Sequence, residues 1–170
     1  MYSISFLYNK KENYIYNINI QIRLICKYLL GGNFMLKKAK KWIGYDFNYG
    51  HYDNPPREGG GTSETDEMRQ FFRDFRSDLK AAFKDTNIKI YQMKKNYYDV
   101  TLVLSNLDES KFIFVSIGDM RYTTRWNERI LYRTMKHATD WTGGMNQYTD
   151  TEHLVSNLKD LMERMLRYDI

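Results

Sequence analysis

Apolar residues recur at intervals of three and four across residues 64–85, where Met68, Phe71, Phe72, Phe75, Leu79 and Phe83 fall on one side of a helical wheel. Thr62 or Ser63 supplies a cap, Glu64, Asp66 and Glu67 suit the positive end of the helix dipole, and Thr86-Asn87 stops the helix. The period then shortens. Three apolar runs, residues 88–94, 97–105 and 111–118, are separated by turn residues at 95–96 and 106–110, which predicts an antiparallel meander. Residues 129–136 predict a fourth strand, although the same letters permit a helix from Trp126. Thr149 and Glu152 have capping-box spacing, and Leu154, Val155, Leu158, Leu161, Met162, Met165 and Leu166 form the stripe of a C-terminal helix. This order predicts an α+β fold, an antiparallel sheet of three to four strands with an N-side and a C-terminal helix packed on one face.

Two segments precede that pattern. Residues 35–63 read as a short basic helix followed by a Pro- and Gly-rich linker. Leu36, Ala39, Trp42 and Ile43 lie at helical spacing among four lysines, and Pro55-Pro56 and Gly59 to Gly61 break any continuation. The boundary of the 64–170 domain is placed in that linker. Residues 1–34 have a different composition, since 19 of the 34 are Ile, Asn, Tyr or Lys, the residues of A/T-rich codons. Gly31-Gly32 can be encoded by a ribosome-binding sequence just upstream of Met35. We therefore expect translation to begin at Met35, with residues 1–34 a conceptually translated leader; a β-prone extension is the alternative.

Charge changes meaning with that choice. The full chain has 26 Lys+Arg against 21 Asp+Glu, a formal +5. Removing the four positive and one negative residues of 1–34 leaves 22 against 20, so overall basicity ceases to argue for an anionic partner and only local clustering remains. The single cysteine, Cys26, excludes an internal disulfide and a Cys-based zinc site, and with no apolar run long enough to span a bilayer the expected location is cytoplasmic.

Candidate chemistry is sparse. Asp99 with Glu109 and Lys111 resembles the Asp…Glu-x-Lys set of restriction-type nucleases, in which two carboxylates hold Mg²⁺ and the lysine assists the attacking water. If residues 106–110 turn a hairpin, however, Asp99 faces about Ser116 and lies of order 16 Å from Glu109, too far to share an ion. His137 with Asp140 reads either as a polarised acid-base pair or as a turn hydrogen bond. The three histidines show no paired metal spacing, the Gly59 to Gly61 loop is flanked by acids that repel phosphate, and neither a metal nor a cofactor is implied.

The sharpest feature is Arg121, Arg125, Arg129, Arg133 and His137 at a strict spacing of four, with Trp126 and Trp141 close by. Such a row keeps one face of a strand and drifts only about 40° per step on a helix. Two readings stay open: the arginines pair with acids of the two helices, or with Tyr122, Trp126, Tyr132 and Trp141 they form a binding surface. Residues 126–148, with ILYRTMKHATDWTGGMNQY and the capped helix after it, resemble small uncharacterised proteins carried by phages and conjugative elements of low-GC Gram-positive bacteria. The resemblance implies an accessory gene of a mobile element. The expected function is a small binding protein that acts on a protein or nucleic-acid partner, an inhibitor of a host-defence nuclease being one version. A metal-dependent nuclease or other phosphate-handling enzyme is the alternative.

Overall fold

The computed structural model describes residues 36–47, 66–96, 99–118, 120 and 124–168. These all belong to the second of two units into which the chain divides, Met1–Phe34 and Met35–Ile170. The leader, the linker, the caps Thr62 and Ser63, Arg121 and Tyr122 lie outside the described residues.

The phenylalanine-rich stripe forms helix α1 (Asp66–Phe83), which buries Met68, Phe71, Phe75, Leu79, Ala82 and Phe83. Thr86 closes it, its backbone N–H and its hydroxyl both donating to the Phe83 carbonyl. Five strands follow: β1 (Lys89–Lys95), β2 (Val100–Ser105), β3 (Phe112–Ile117), β4 (Ile130–Met135) and β5 (Gln147–Thr149). They are antiparallel and sit side by side in chain order. The sheet thus has one strand more than the pattern predicts, because β5 is three residues long and carries no apolar alternation of its own. Helix α2 (Leu154–Tyr168) completes the fold.

Strand alternation sorts the side chains onto two faces. Val100, Leu102 and Leu104, Ile113, Val115 and Ile117, and Ile130 and Tyr132 join the buried stripes of α1 and α2 in one core. Both helices therefore lie on the same side, as predicted. Each large side chain buried there contributes roughly 1.5–3 kcal/mol. The opposite face holds a smaller cluster of Val103, Phe112, Phe114 and Met135, with Leu131 and Ala138 packed against it.

A β-bulge in β1 fixes which residues reach each face. Ile90 pairs with Leu104 and Gln92 with Val103, so Tyr91 is the extra residue. An unbulged strand would turn Lys94 to the core and Met93 away from it. The inserted residue reverses both: Met93 packs against the core, and Lys94, opposite Thr101, faces away.

Residues 36–47, expected to stand ahead of the domain, are part of its core. Leu36, Ala39, Trp42 and Phe47 are buried with α1, and the short basic helix is a 3-10 turn (Ala39–Trp42). Asp74, only 6% exposed, receives the Trp42 indole N–H at 2.9 Å, the Lys41 ammonium at 2.8 Å and the Gln70 amide at 2.9 Å. Asp78 accepts the backbone N–H groups of Lys38 and Ala39. At the far end α2 is capped by Asp150, which accepts the His153 N–H at 2.8 Å. Thr149, the predicted cap, instead accepts the Asn157 side-chain amide at 2.8 Å. No described helix is long and apolar enough to cross a membrane.

Candidate functional site

The arginine row does not act as a unit. Arg125 lies in the loop before β4 and approaches Glu128 at 3.8 Å. Arg129 and Arg133 share the face away from the helices, since Arg133 pairs with Phe114 and Leu131 with Ser116. The guanidinium of Arg129 stacks at 4.6 Å from the centroid of Tyr148, which stands opposite Leu131 on β5. Arg133 is half-buried and structural: its guanidinium lies 5.0 Å over Phe114 and donates to the Trp141 carbonyl. Neither side chain pairs with an acid of α1 or α2 among the described residues.

Two aromatic residues assigned to the binding surface belong to the core. Trp126 is 2% exposed, stacks edge-on at 4.8 Å on Phe71, and donates its indole N–H to the Trp42 carbonyl at 2.9 Å. Tyr132 neighbours Arg133 in the strand and therefore points the other way, into the core. Trp141 does reach the surface. It is 43% exposed, edge-on at 5.6 Å to Phe114, with the Lys94 ammonium 5.8 Å from its centroid.

The loop from 136 to 146 holds Trp141 in place. Asp140 accepts the backbone N–H groups of Lys136, Thr142 and Gly143. The Lys136 amide above all keeps this carboxyl below the usual carboxylate pKa; burial opposes it, and the Thr142 and Gly143 amides and His137 assist. His137 turns instead to the Thr139 hydroxyl at 3.0 Å, so the pair forms a turn and not an acid-base dyad. Gly144 has φ +79° and sits so close to the sheet that a Cβ would lie 2.3 Å from the Thr134 carbonyl.

The nuclease-like set is dispersed. Asp99 precedes β2 and Glu109 follows it in the turn, so a six-residue strand separates them by about 20 Å. Glu109 occupies the left-handed position of that turn, at φ 60°, and pairs with Lys89 at 2.7 Å. Asn106 braces the same turn through the backbone N–H groups of Ser110 and Lys111. Among the described residues no three His, Cys, Asp or Glu side chains converge as metal ligands would. A shallow cleft of about 350 Å³, open to solvent and lined by Leu36, Lys40, Ile43, Trp126, Thr151 and Glu152, lies on the other side of the molecule and gathers no catalytic set.

Tyr91 and Tyr148 complete the surface, and sequence reasoning missed both. Tyr91, at the bulge, is 46% exposed and packs edge-on at 5.4 Å against Phe112; Tyr148 is 50% exposed. A further property was legible but overlooked: none of the residues of the five strands is Asp or Glu, whereas Lys89, Lys94, Lys95 and Arg133 are basic.

No protein-family model, curated protein or solved structure matches this chain.

Proposed function

We propose that the protein is a small binding protein that engages a macromolecular partner through the sheet face turned away from α1 and α2. The carrying observation is that three aromatic rings, Tyr91, Trp141 and Tyr148, stand about half-exposed on a face whose strands contain no acid, two of them with a cation against the ring. Exposed aromatics flanked by Lys and Arg are what binding hot spots are made of. The dispersal of Asp99, Glu109 and Lys111 weighs in the same direction by removing support from the nuclease reading. Together with the resemblance of residues 126–148, this favours an accessory protein of a mobile genetic element that works in the cytoplasm by binding, for instance by blocking a host-defence protein.

The test is recovery of a partner from source-cell lysate with wild type, with Lys94→Glu/Arg129→Glu, and with Lys80→Glu/Arg167→Glu on the helices. The sheet-face pair should abolish recovery and the helix pair should leave it intact. Recovery that follows the helix pair, or neither, refutes the assignment of this face.

A further inference from the structure

The face carries more information than the existence of a partner. We propose that it binds single-stranded nucleic acid, with Tyr91, Trp141 and Tyr148 as stacking platforms for bases and Lys94 and Arg129 as phosphate contacts. This rests on the reading of the sheet face as the interface and assigns its partner class.

The spacing comes from the sheet itself. Tyr91 stands on β1, Trp141 covers Phe114 on β3, and Tyr148 stands on β5. With neighbouring strands roughly 4.8 Å apart, each ring is about 10 Å from the next across the sheet. Register offsets the last ring, since Tyr148 is level with Leu131 and Ser116, two residues beyond the level of Phe114 and Arg133. The rings thus form an oblique track over the sheet, long enough for two or three splayed bases, the number a sheet platform commonly stacks.

Charge follows the same track. Lys94 lies against Trp141 and Arg129 against Tyr148, so two of the platforms have a cation within reach of a backbone phosphate. Of the acids that border the track, Glu109 is engaged by Lys89 and Asp140 by the amides of its own loop, while Asp99 shares the parity of Thr101 at one end of β2. Stacking on a ring face requires an unpaired base, which selects single strands over duplex.

A protein partner would call for an apolar centre within a polar rim. Here the largest apolar side chains of the face are already covered, and Leu131 is partly so. Phe112, Phe114 and Met135 are 8%, 9% and 5% exposed, closed over by Tyr91, Trp141 and the loop that carries it. What remains most exposed is rings and cations, with Gln92, Thr101, Ser116 and Leu131 partly exposed between them.

The experiment is fluorescence anisotropy of the full chain with a labelled mixed-sequence single-stranded 12-mer, as DNA and as RNA, and with the same DNA as duplex. Single strands should bind more tightly than duplex. Tyr148→Ala and Trp141→Ala should each weaken binding roughly fivefold to a hundredfold, while Tyr148→Phe, which keeps the ring, should bind as wild type does. Lys94→Gln/Arg129→Gln should flatten the slope of log K against log salt by about 1.4, the release expected for two phosphate contacts on a single strand. Circular dichroism of each variant separates lost binding from lost folding, and Tyr148→Phe supplies a folded comparison in every case. Absent oligonucleotide binding, or binding indifferent to both aromatic substitutions, overturns the proposal. If binding is absent while a nuclease-resistant protein partner is still lost with Lys94→Glu/Arg129→Glu, the interface stands and its partner is a protein. If both assays are blank, the interface itself is wrong.

Discussion

Replacing Asp74 by alanine should detach the segment 36–47 from α1 at a measurable cost. The carboxylate is 6% exposed and accepts hydrogen bonds from the Trp42 indole, the Lys41 ammonium and the Gln70 amide. Alanine leaves the Trp42 N–H buried without an acceptor, a cost of about 1–3 kcal/mol. The Lys41 side chain is 57% exposed, so its share is small, roughly 0.5–1 kcal/mol after solvent screening. Gln70 can turn to solvent, and the expected total is about 1.5–4 kcal/mol. Asp74→Asn retains an acceptor for the indole and should lose about 1 kcal/mol. Urea denaturation at pH 7 reads both differences. Their pH dependence is a second check. Burial pushes the Asp74 carboxyl up, but the Lys41, Trp42 and Gln70 hydrogen bonds outweigh it and leave its pKa below the ordinary 3.8. A carboxyl held down in the folded state stabilises fully above 3.8 and loses that contribution as pH falls through the lower folded value. The gap between wild type and Asp74→Asn should therefore be constant above about pH 5 and close in stronger acid. An alanine variant within 0.5 kcal/mol of wild type, marked here as roughly the scatter of surface substitutions, would show that residues 36–47 are not anchored as described.

Three other outcomes are expected. Gly144→Ala combines a positive φ with a Cβ 2.3 Å from the Thr134 carbonyl, so it should destabilise by more than about 1 kcal/mol in thermal unfolding and loosen the Trp141 loop. Asp140→Asn should move the indole resonance of Trp141 in NMR spectra, and the wild-type resonance should move likewise only below the ordinary carboxylate pKa, because the amides of Lys136, Thr142 and Gly143 hold the charged form. Deleting Tyr91 should leave the fold within about 1 kcal/mol of wild type, since Ile90 and Gln92 already pair with successive residues of β2, whereas deleting Met93 turns Lys94 into the core and should cost several times more.

The two helices were legible from an apolar spacing of three and four, and four of the strands from short apolar runs bounded by turn residues. The phenylalanines of α1 repeat at three and four, and β2 to β4 are short runs of β-branched and aromatic residues between turns. Leu166, counted in the α2 stripe, is 42% exposed and lies at its margin. β5 was not legible because Gln147, Tyr148 and Thr149 are strand only through pairing with β4. In the segment 36–47, Leu36, Ala39 and Trp42 are spaced by three, which suits the 3-10 turn they adopt, while Ile43, which a full α-helical stripe would bury, is 42% exposed. The facing of the site failed for a sharper reason. Parity alone puts Tyr132 opposite Arg133, but Trp126 lies outside any strand, and only its contacts with Phe71 and Trp42 place it inside. The bulge at Tyr91 shows in KIYQMKK only as a break in alternation, since Lys89, Ile90, Gln92, Met93 and Lys94 alternate once Tyr91 is passed over.

The same bulge bears on how this sheet meets other chains. Among the described residues β1 and β5 are its two outer strands, and each leaves one row of backbone donors and acceptors without a neighbouring strand. A long, regular border of that kind is a template for strand addition and aggregation. Here one border is interrupted at Tyr91 and studded with Lys89, Lys94 and Lys95, and the other is only three residues long. Neither offers a continuous ladder to an incoming β-strand. The protein can thus present an aromatic, basic surface while both of these borders discourage the end-on growth of sheets from copy to copy.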